Sequence, residues 1–258
     1  MVTCGSKKTV ALRNVVLGSG RLALIMPIAA KDTEEAVSLA KEFMPYKPDI
    51  LEWRVDYFDQ VENIPVLLEA AEKLRAAVGD MAVMVTPRHH LENGVREIQP
   101  EAKKGILLAL IQSGLVDMVD VEMRYGADYI QEIRGECQKH RTALMISYHD
   151  LKHTPDSGEV LSLLQKEMEL GADVCKVSFV AETYGDVDRL GKAIVQAKQA
   201  GIDVPIVSIS AGPRGSLSRI CGDVFGSDGT FVSTGKTHQI HIDDVRALRR
   251  SLELDPEA

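Results

Sequence analysis

The chain is poor in cysteine, in aromatic residues and in long apolar runs, and it carries no excess of positive charge. Its cysteines, Cys4, Cys137, Cys175 and Cys221, are scattered with no CxxC pair, which excludes a disulfide framework and a structural zinc site. The longest apolar run, residues 22–30, is about half of the roughly 20 residues that a membrane-spanning helix needs. The first eight residues are polar and lack the apolar stretch of a secretory signal, so the cytosol and reduced thiols are expected. With 30 Lys and Arg against 38 Asp and Glu, the net charge of −8 would repel a polyphosphate and excludes general nucleic-acid binding. Against these absences stand 258 residues of which 45% are hydrophobic, enough for one large core. No low-complexity linker or composition break divides residues 1–258, so a single domain is expected.

Short runs rich in Val, Ile and Leu alternate with amphipathic stretches along the whole chain. The strand candidates are residues 22–28, 50–55, 82–86, 118–122, 143–147, 174–178, 205–210 and 230–233. Between them, residues 33–43, 64–78, 101–114, 128–140, 158–171, 186–201 and 243–252 have helical period and good helix formers. Asp32 and Thr33 open one helix, and Gly114, Gly171 and Gly201 close others. Strands separated by helical crossovers pair in parallel with right-handed connections, and eight such units fit a closed (β/α)8 TIM barrel better than an open sheet. An open doubly wound sheet would be expected to show a glycine-rich first turn, and the turn here reads Ala29-Ala30-Lys31-Asp32. Residues 9–13 and 15–17 read as a small β-hairpin placed to close the bottom of the barrel.

A (β/α)8 barrel builds its site at the C-terminal ends of the strands, and charged residues recur there. Strand two ends Glu52-Trp53-Arg54-Val55-Asp56, strand three Thr86-Pro87-Arg88-His89-His90, and strand four Asp120-Val121-Glu122-Met123-Arg124. Strand five ends Ser147-Tyr148-His149-Asp150, and strand seven leads into Ser216-Leu217-Ser218-Arg219. Lys176 interrupts the otherwise apolar strand six and should point into the barrel. A buried ammonium is costly unless paired, and the neutral amine is the nucleophile that imine chemistry needs. A structural salt bridge to Glu52 or Glu122 explains the same lysine equally well. His149 ends the neighbouring strand, where an imidazole can move protons near neutral pH. Arg54, Arg88 and Arg219 come from three strands and together favour an anionic substrate, although each alone reads as an ion pair. His89-His90 and the His238, His241 pair lack the spacing and acidic company of metal ligands, and Gly235-Lys236-Thr237 lacks the earlier glycine of a phosphate loop.

In their order these residues resemble the type I 3-dehydroquinate dehydratase family. The matching pieces are Asp49-Ile50-Leu51-Glu52-Trp53-Arg54-Val55-Asp56, Thr86-Pro87-Arg88 with Glu92, Ser147-Tyr148-His149-Asp150, and Gly171-Ala172-Asp173-Val174-Cys175-Lys176. They continue with Ser218-Arg219, Gly222-Asp223-Val224-Phe225-Gly226-Ser227 and Gln239-Ile240. The resemblance implies a (β/α)8 barrel, usually a homodimer, that converts 3-dehydroquinate to 3-dehydroshikimate without metal or organic cofactor. It gives Lys176 the imine with the substrate ketone, His149 the proton transfers, and Glu92 the orientation of His149. It gives Arg219 the substrate carboxylate, and Glu52, Arg54, Arg88 and Gln239 its hydroxyl groups or neighbouring side chains. The family's lid commonly reads Ser-Ala-Pro-Gly-Gln, whereas here Ser233-Thr234-Gly235-Lys236-Thr237-His238-Gln239 differs. Ser233 or Thr234 then stands for the lid serine, or Lys236 or His238 supplies a new contact. A class I aldolase on the same barrel, or a silent barrel that only binds such acids, are the competing readings.

Overall fold

The alternation of apolar runs and amphipathic stretches sets the order of elements in the computed structural model, which describes residues 6–235 and 239–255. Val10–Leu12 (β1) and Val15–Leu17 (β2) pair antiparallel. Eight strands follow: Ala23–Ile28 (β3), Ile50–Trp53 (β4), Ala82–Val85 (β5), Met118–Glu122 (β6), Ala143–Asp150 (β7), Val174–Val180 (β8), Ile206–Ala211 (β9) and Gly229–Phe231 (β10). Neighbours are parallel in the order β10, β3, β4, β5, β6, β7, β8, β9. A tight turn cannot join parallel neighbours, so most of the crossings run through outer helices. These are Thr33–Phe43 (α1), Ile64–Val78 (α2), Pro100–Ser113 (α3), Ala127–His140 (α4), Ser157–Glu169 (α5), Tyr184–Gln199 (α6), Ser216–Cys221 (α7) and Ile242–Ser251 (α8).

Local chemistry starts and stops these helices. The Asp32 carboxylate accepts from Glu35 N–H at 2.9 Å, Asp156 accepts from Glu159 N–H at 2.9 Å, and Thr183 with Asp186 forms a capping box on α6. Gly114 ends α3 at φ +67°, a conformation that a Cβ disfavours.

The seam between β9 and β10 closes through residues just before β10. Asp228 N–H donates to Ile206 O at 2.6 Å, Ile206 N–H donates to Asp228 Oδ2 at 2.8 Å, and Ser208 N–H donates to Ser227 Oγ at 3.0 Å. One apolar core lies between strands and helices, and a second fills the barrel. Leu12, Val15 and Leu17 of the hairpin belong to the second core, together with Ala23, Ile50, Ala82 and Met118 at the starts of their strands. The hairpin therefore packs into the bottom of the barrel, and the opposite end is left to chemistry. No helix among the described residues is long and apolar enough to cross a membrane.

Two differences from the sequence expectation touch the site. β7 and β8 run on to Asp150 and Val180, past residues 147 and 178, because Tyr148, His149 and Asp150 stay in register with Val177, Ser178 and Phe179 despite their polarity. The helix α7, which carries Arg219, was not foreseen, since six residues are too few to show a helical period.

Candidate active site

At the C-terminal ends of the strands lies a cavity of about 160 Å³. Glu52, Arg54, Arg88, Glu92, His149, Lys176, Arg219 and Gln239 all line it, together with Asn93, Ser178 and Ala211, which the sequence reading missed. Ser178 was within reach of that reading, because it lies two positions after Lys176 and so on the same strand face. A larger groove of about 620 Å³ between α1 and α2, lined by Thr33, Val37, Lys41, Lys73 and Ala77, holds none of these groups. Convergent polar chemistry, not volume, distinguishes the site.

Lys176 points into the barrel from β8 with its side chain 4% exposed, and its Nζ lies 2.8 Å from Asp120 Oδ2 and 4.5 Å from the centre of the Phe231 ring. The suggested partners Glu52 and Glu122 are otherwise engaged. Glu52 accepts from Thr86 Oγ1 at 2.7 Å, and Glu122 is held by Arg88 at 3.0 Å and Lys103 at 3.3 Å. Asp120 sits two positions before Glu122 on the same inward face of β6, and an acid inside so apolar a strand was the signal that could have found it.

Asp120 also accepts from Arg88 Nη2 at 2.5 Å and from Ser147 Oγ at 2.5 Å. Burial opposes its charge, but Arg88, Lys176 and His149 outweigh burial and hold the carboxyl well below the usual range. Burial likewise opposes the charge of Arg88, yet Asp120 and Glu122 keep it firmly protonated. Arg88 is thus a buried strut between two acids with one edge on the cavity. Arg54 is held similarly, donating to both Asp56 oxygens at 2.8 and 2.7 Å.

His149 sits one step above Lys176, because Ser147 pairs with Lys176 and His149 pairs with Ser178 in the parallel ladder. Its Nδ1 is 2.9 Å from Glu92 Oε2. Burial, then Arg88 and Lys176, push the imidazole well below its ordinary value, so it is neutral at physiological pH. Burial and Glu122 push the Glu92 carboxyl up to about 7 against the pull of Arg88 and Arg124. An ionised Glu92 takes the Nδ1 proton of His149 as a hydrogen bond and leaves Nε2 as the basic atom.

Arg219 differs from the other cations. It donates a 3.4 Å hydrogen bond to Phe231 O, no carboxylate pairs with it among the described residues, and burial alone lowers its pKa. A cation in a cavity without its own acid is a site for a carboxylate brought by a ligand. Ser233 does not line the cavity; its hydroxyl donates to Gln239 O at 2.9 Å and accepts from Gly235 N–H at 3.1 Å, shaping the loop that carries Gln239. Lys236 and His238, the alternative lid contacts, lie outside the described residues. Among the described residues no group of three or more His, Cys, Asp and Glu is placed to hold a metal ion.

Comparison with known proteins places the chain in a family. The family model for type I 3-dehydroquinase matches residues 24–256. The chain is 35% identical to 3-dehydroquinate dehydratase of Salmonella agona (strain SL483) over 244 residues, which covers 93% of this chain and 97% of the relative. A crystal structure of the Clostridium difficile type I enzyme with covalently modified comenic acid superposes with a TM-score of 0.92 at 32% identity, covering 95% of this chain and 98% of the other. The 3-dehydroquinate dehydratase of Geobacillus kaustophilus HTA426 superposes with a TM-score of 0.93 at 28% identity, covering 96% and 97%. With a family match along nearly its whole length and a relative more than a third identical, the chain belongs to the type I 3-dehydroquinase family.

Proposed function

We propose that this chain performs the family's dehydration of 3-dehydroquinate to 3-dehydroshikimate with Lys176 as the imine-forming residue and His149 as the proton carrier. The observation that carries this reading is a buried lysine and a neutral, carboxylate-backed histidine, on adjacent parallel strands, facing one cavity with the acid-free Arg219. Arg219 holds the substrate carboxylate and so sets the ring's orientation. Lys176 Nζ, once neutral, adds to the C3 ketone; the carbinolamine loses water and becomes a protonated imine. That cation draws electrons from the neighbouring C2–H bond. His149 Nε2 takes the C2 proton, giving an enamine, and the resulting imidazolium, stabilised by Glu92, gives the proton to the departing C1 hydroxyl. Water then hydrolyses the conjugated imine, releasing the enone and the lysine. The net change is the loss of one water molecule.

Asp120 stabilises charge on the Lys176 nitrogen in both the free ammonium and the protonated imine. Because Arg88 and Ser147 share the same carboxylate, Asp120 remains compensated when Lys176 gives up its proton to react. Glu52, Arg54, Arg88 and Gln239 complete the pocket for the hydroxyl groups, and Ser233 serves through Gln239. The chain acts as one catalytic unit in the cytoplasm, as a homodimer whose mass sedimentation would read.

Borohydride reduction in the presence of 3-dehydroquinate freezes an imine as a secondary amine. Intact mass and peptide mapping should place a ligand-sized adduct on Lys176, and none in Lys176→Ala. Product formation without an adduct would overturn the covalent step; neither product nor adduct would overturn the activity and favour the silent barrel.

A further inference from the structure

Arg124 does not line the cavity, yet it reaches the catalytic pair from behind. It lies in the 3-10 turn Met123–Tyr125 that follows β6, with its side chain 32% exposed and its Nη1 3.4 Å from Glu92 Oε1. The two Glu92 oxygens are therefore divided, Oε2 to His149 and Oε1 to Arg124.

The same Nη1 lies 3.2 Å from Nδ1 of His89, and that nitrogen also accepts from Leu91 N–H at 3.0 Å. A ring nitrogen that receives two N–H donors carries no proton, so His89 faces Arg124 as a neutral acceptor. Burial and Arg124 push His89 down to about 4, which keeps it neutral over the working range. Its position is fixed as well. His89 N–H donates to Glu122 Oε1 at 2.7 Å, and its ring stacks on His90 at 4.4 Å and meets Tyr125 edge-on at 5.8 Å. Arg124 is thus aimed by a rigid, uncharged imidazole.

The charged and titratable groups facing Glu92 come from several elements: His149 and Tyr148 from β7, Glu122 and Asp120 from β6, Arg88 from the segment after β5, and Arg124 and Tyr125 from the turn after β6. The acids among them disfavour a charged Glu92. Arg88 pulls the other way, more strongly than Arg124, but its guanidinium is bonded to Asp120 and Glu122 and not to Glu92. Among the described residues, Arg124 and His149 are the groups at ion-pair distance from Glu92.

We propose that Arg124, aimed by neutral His89, is a positioning residue that keeps Glu92 an anion turned toward His149, and so keeps the Nε2 atom of His149 free to act as the base. This rests on the roles given above to Glu92 and His149. Without Arg124, Glu92 holds its proton to higher pH. A protonated Glu92 donates to Nδ1, moves the imidazole proton to Nε2, and removes the base without removing any group from the cavity.

Two measurements separate this inference from the reading beneath it. Enone formation from 3-dehydroquinate, followed from about pH 5 to about pH 9, gives the acid limb of kcat/KM. In Arg124→Met that limb should move up by about one pH unit, since an opposite charge at contact distance is worth at least that much. KM at high pH should be unchanged, Arg124→Lys should restore most of the limb, and His89→Phe should shift it part of the way. A limb that coincides with wild type, or a loss of rate equal at every pH, would overturn the proposal. Nitrogen NMR of histidine-labelled protein reads the His149 tautomer without turnover. The wild type should show Nδ1–H on the alkaline side of the limb, and Arg124→Met should show Nε2–H at pH values where wild type does not. The same tautomer in both proteins would overturn the inference even if the enzymatic reading stands. A wild type without turnover would overturn that reading while leaving the tautomer to be judged by itself.

Discussion

Burial decides what each ionisable side chain at the barrel mouth can do. Glu92 is 4% exposed, and its carboxyl is pushed up to about 7 from an unfolded value of about 4.3. The native state therefore binds the Glu92 proton more tightly than the unfolded chain does. The stability that this gives is fully present below about 4.3, falls as the pH rises, and is lost once the pH has passed about 7. Glu92→Gln removes the burden of a buried charge, so it should melt higher than wild type above pH 7 by about 1–3 kcal/mol of stability, with the gap closing toward pH 5. Thermal unfolding of both proteins at the two pH values checks this; a gap independent of pH would contradict it. His149 shows how far a sequence reaches at this scale. Its place at a strand end was legible from Ser147-Tyr148-His149-Asp150, but its neutrality comes first from burial and then from Arg88 and Lys176, which barrel closure brings beside it. Asp120 was visible as an acid in an apolar strand, but its partner was not, because only the closed barrel brings Lys176 to 2.8 Å.

Helices and strands were legible wherever their periods had room to repeat. α1 and α2 begin and end where the pattern of Thr33–Phe43 and Ile64–Val78 says they should. α7 has no such pattern, and tertiary contacts hold it in place. Ser218 Oγ accepts from Ser210 N–H at 3.0 Å and donates to Gly215 O at 2.8 Å. At Gly215 a Cβ would lie 1.9 Å from Ser210 O, so only glycine permits this approach. From the far side, the buried Arg249 of α8 donates to Ile220 O at 2.7 Å and to both Asp223 oxygens at 2.8 and 2.9 Å. Arg219 lies between these anchors. Arg249→Met should therefore loosen the carboxylate site from outside the cavity, raising KM about tenfold while kcat changes little. Steady-state kinetics checks the split, and a fall in kcat alone would contradict it.

For the whole molecule, the ends of the barrel divide stability from chemistry. Leu17 is fully buried at the bottom among the first residues of the strands. Leu17→Ala should cost about 2–5 kcal/mol in urea unfolding with kcat preserved under folding conditions, because the cavity it leaves is remote from the mouth. A loss of kcat in the folded protein would show that the two ends are coupled. The barrel itself could be read from the chain, because strand period, helix period and capping residues depend on near neighbours, and eight parallel units have few ways to close. So could the residue types at the strand ends, and in them the family resemblance. The pairings were decided by closure alone. Lys176 and Asp120 are 56 positions apart, His149 and Glu92 are 57, and Arg124 and Glu92 are 32. Which acid neutralises which cation, and which cation is left for the substrate, follows from distances across a closed barrel, where electrostatic energy depends on separation in space and on burial, not on separation along the chain.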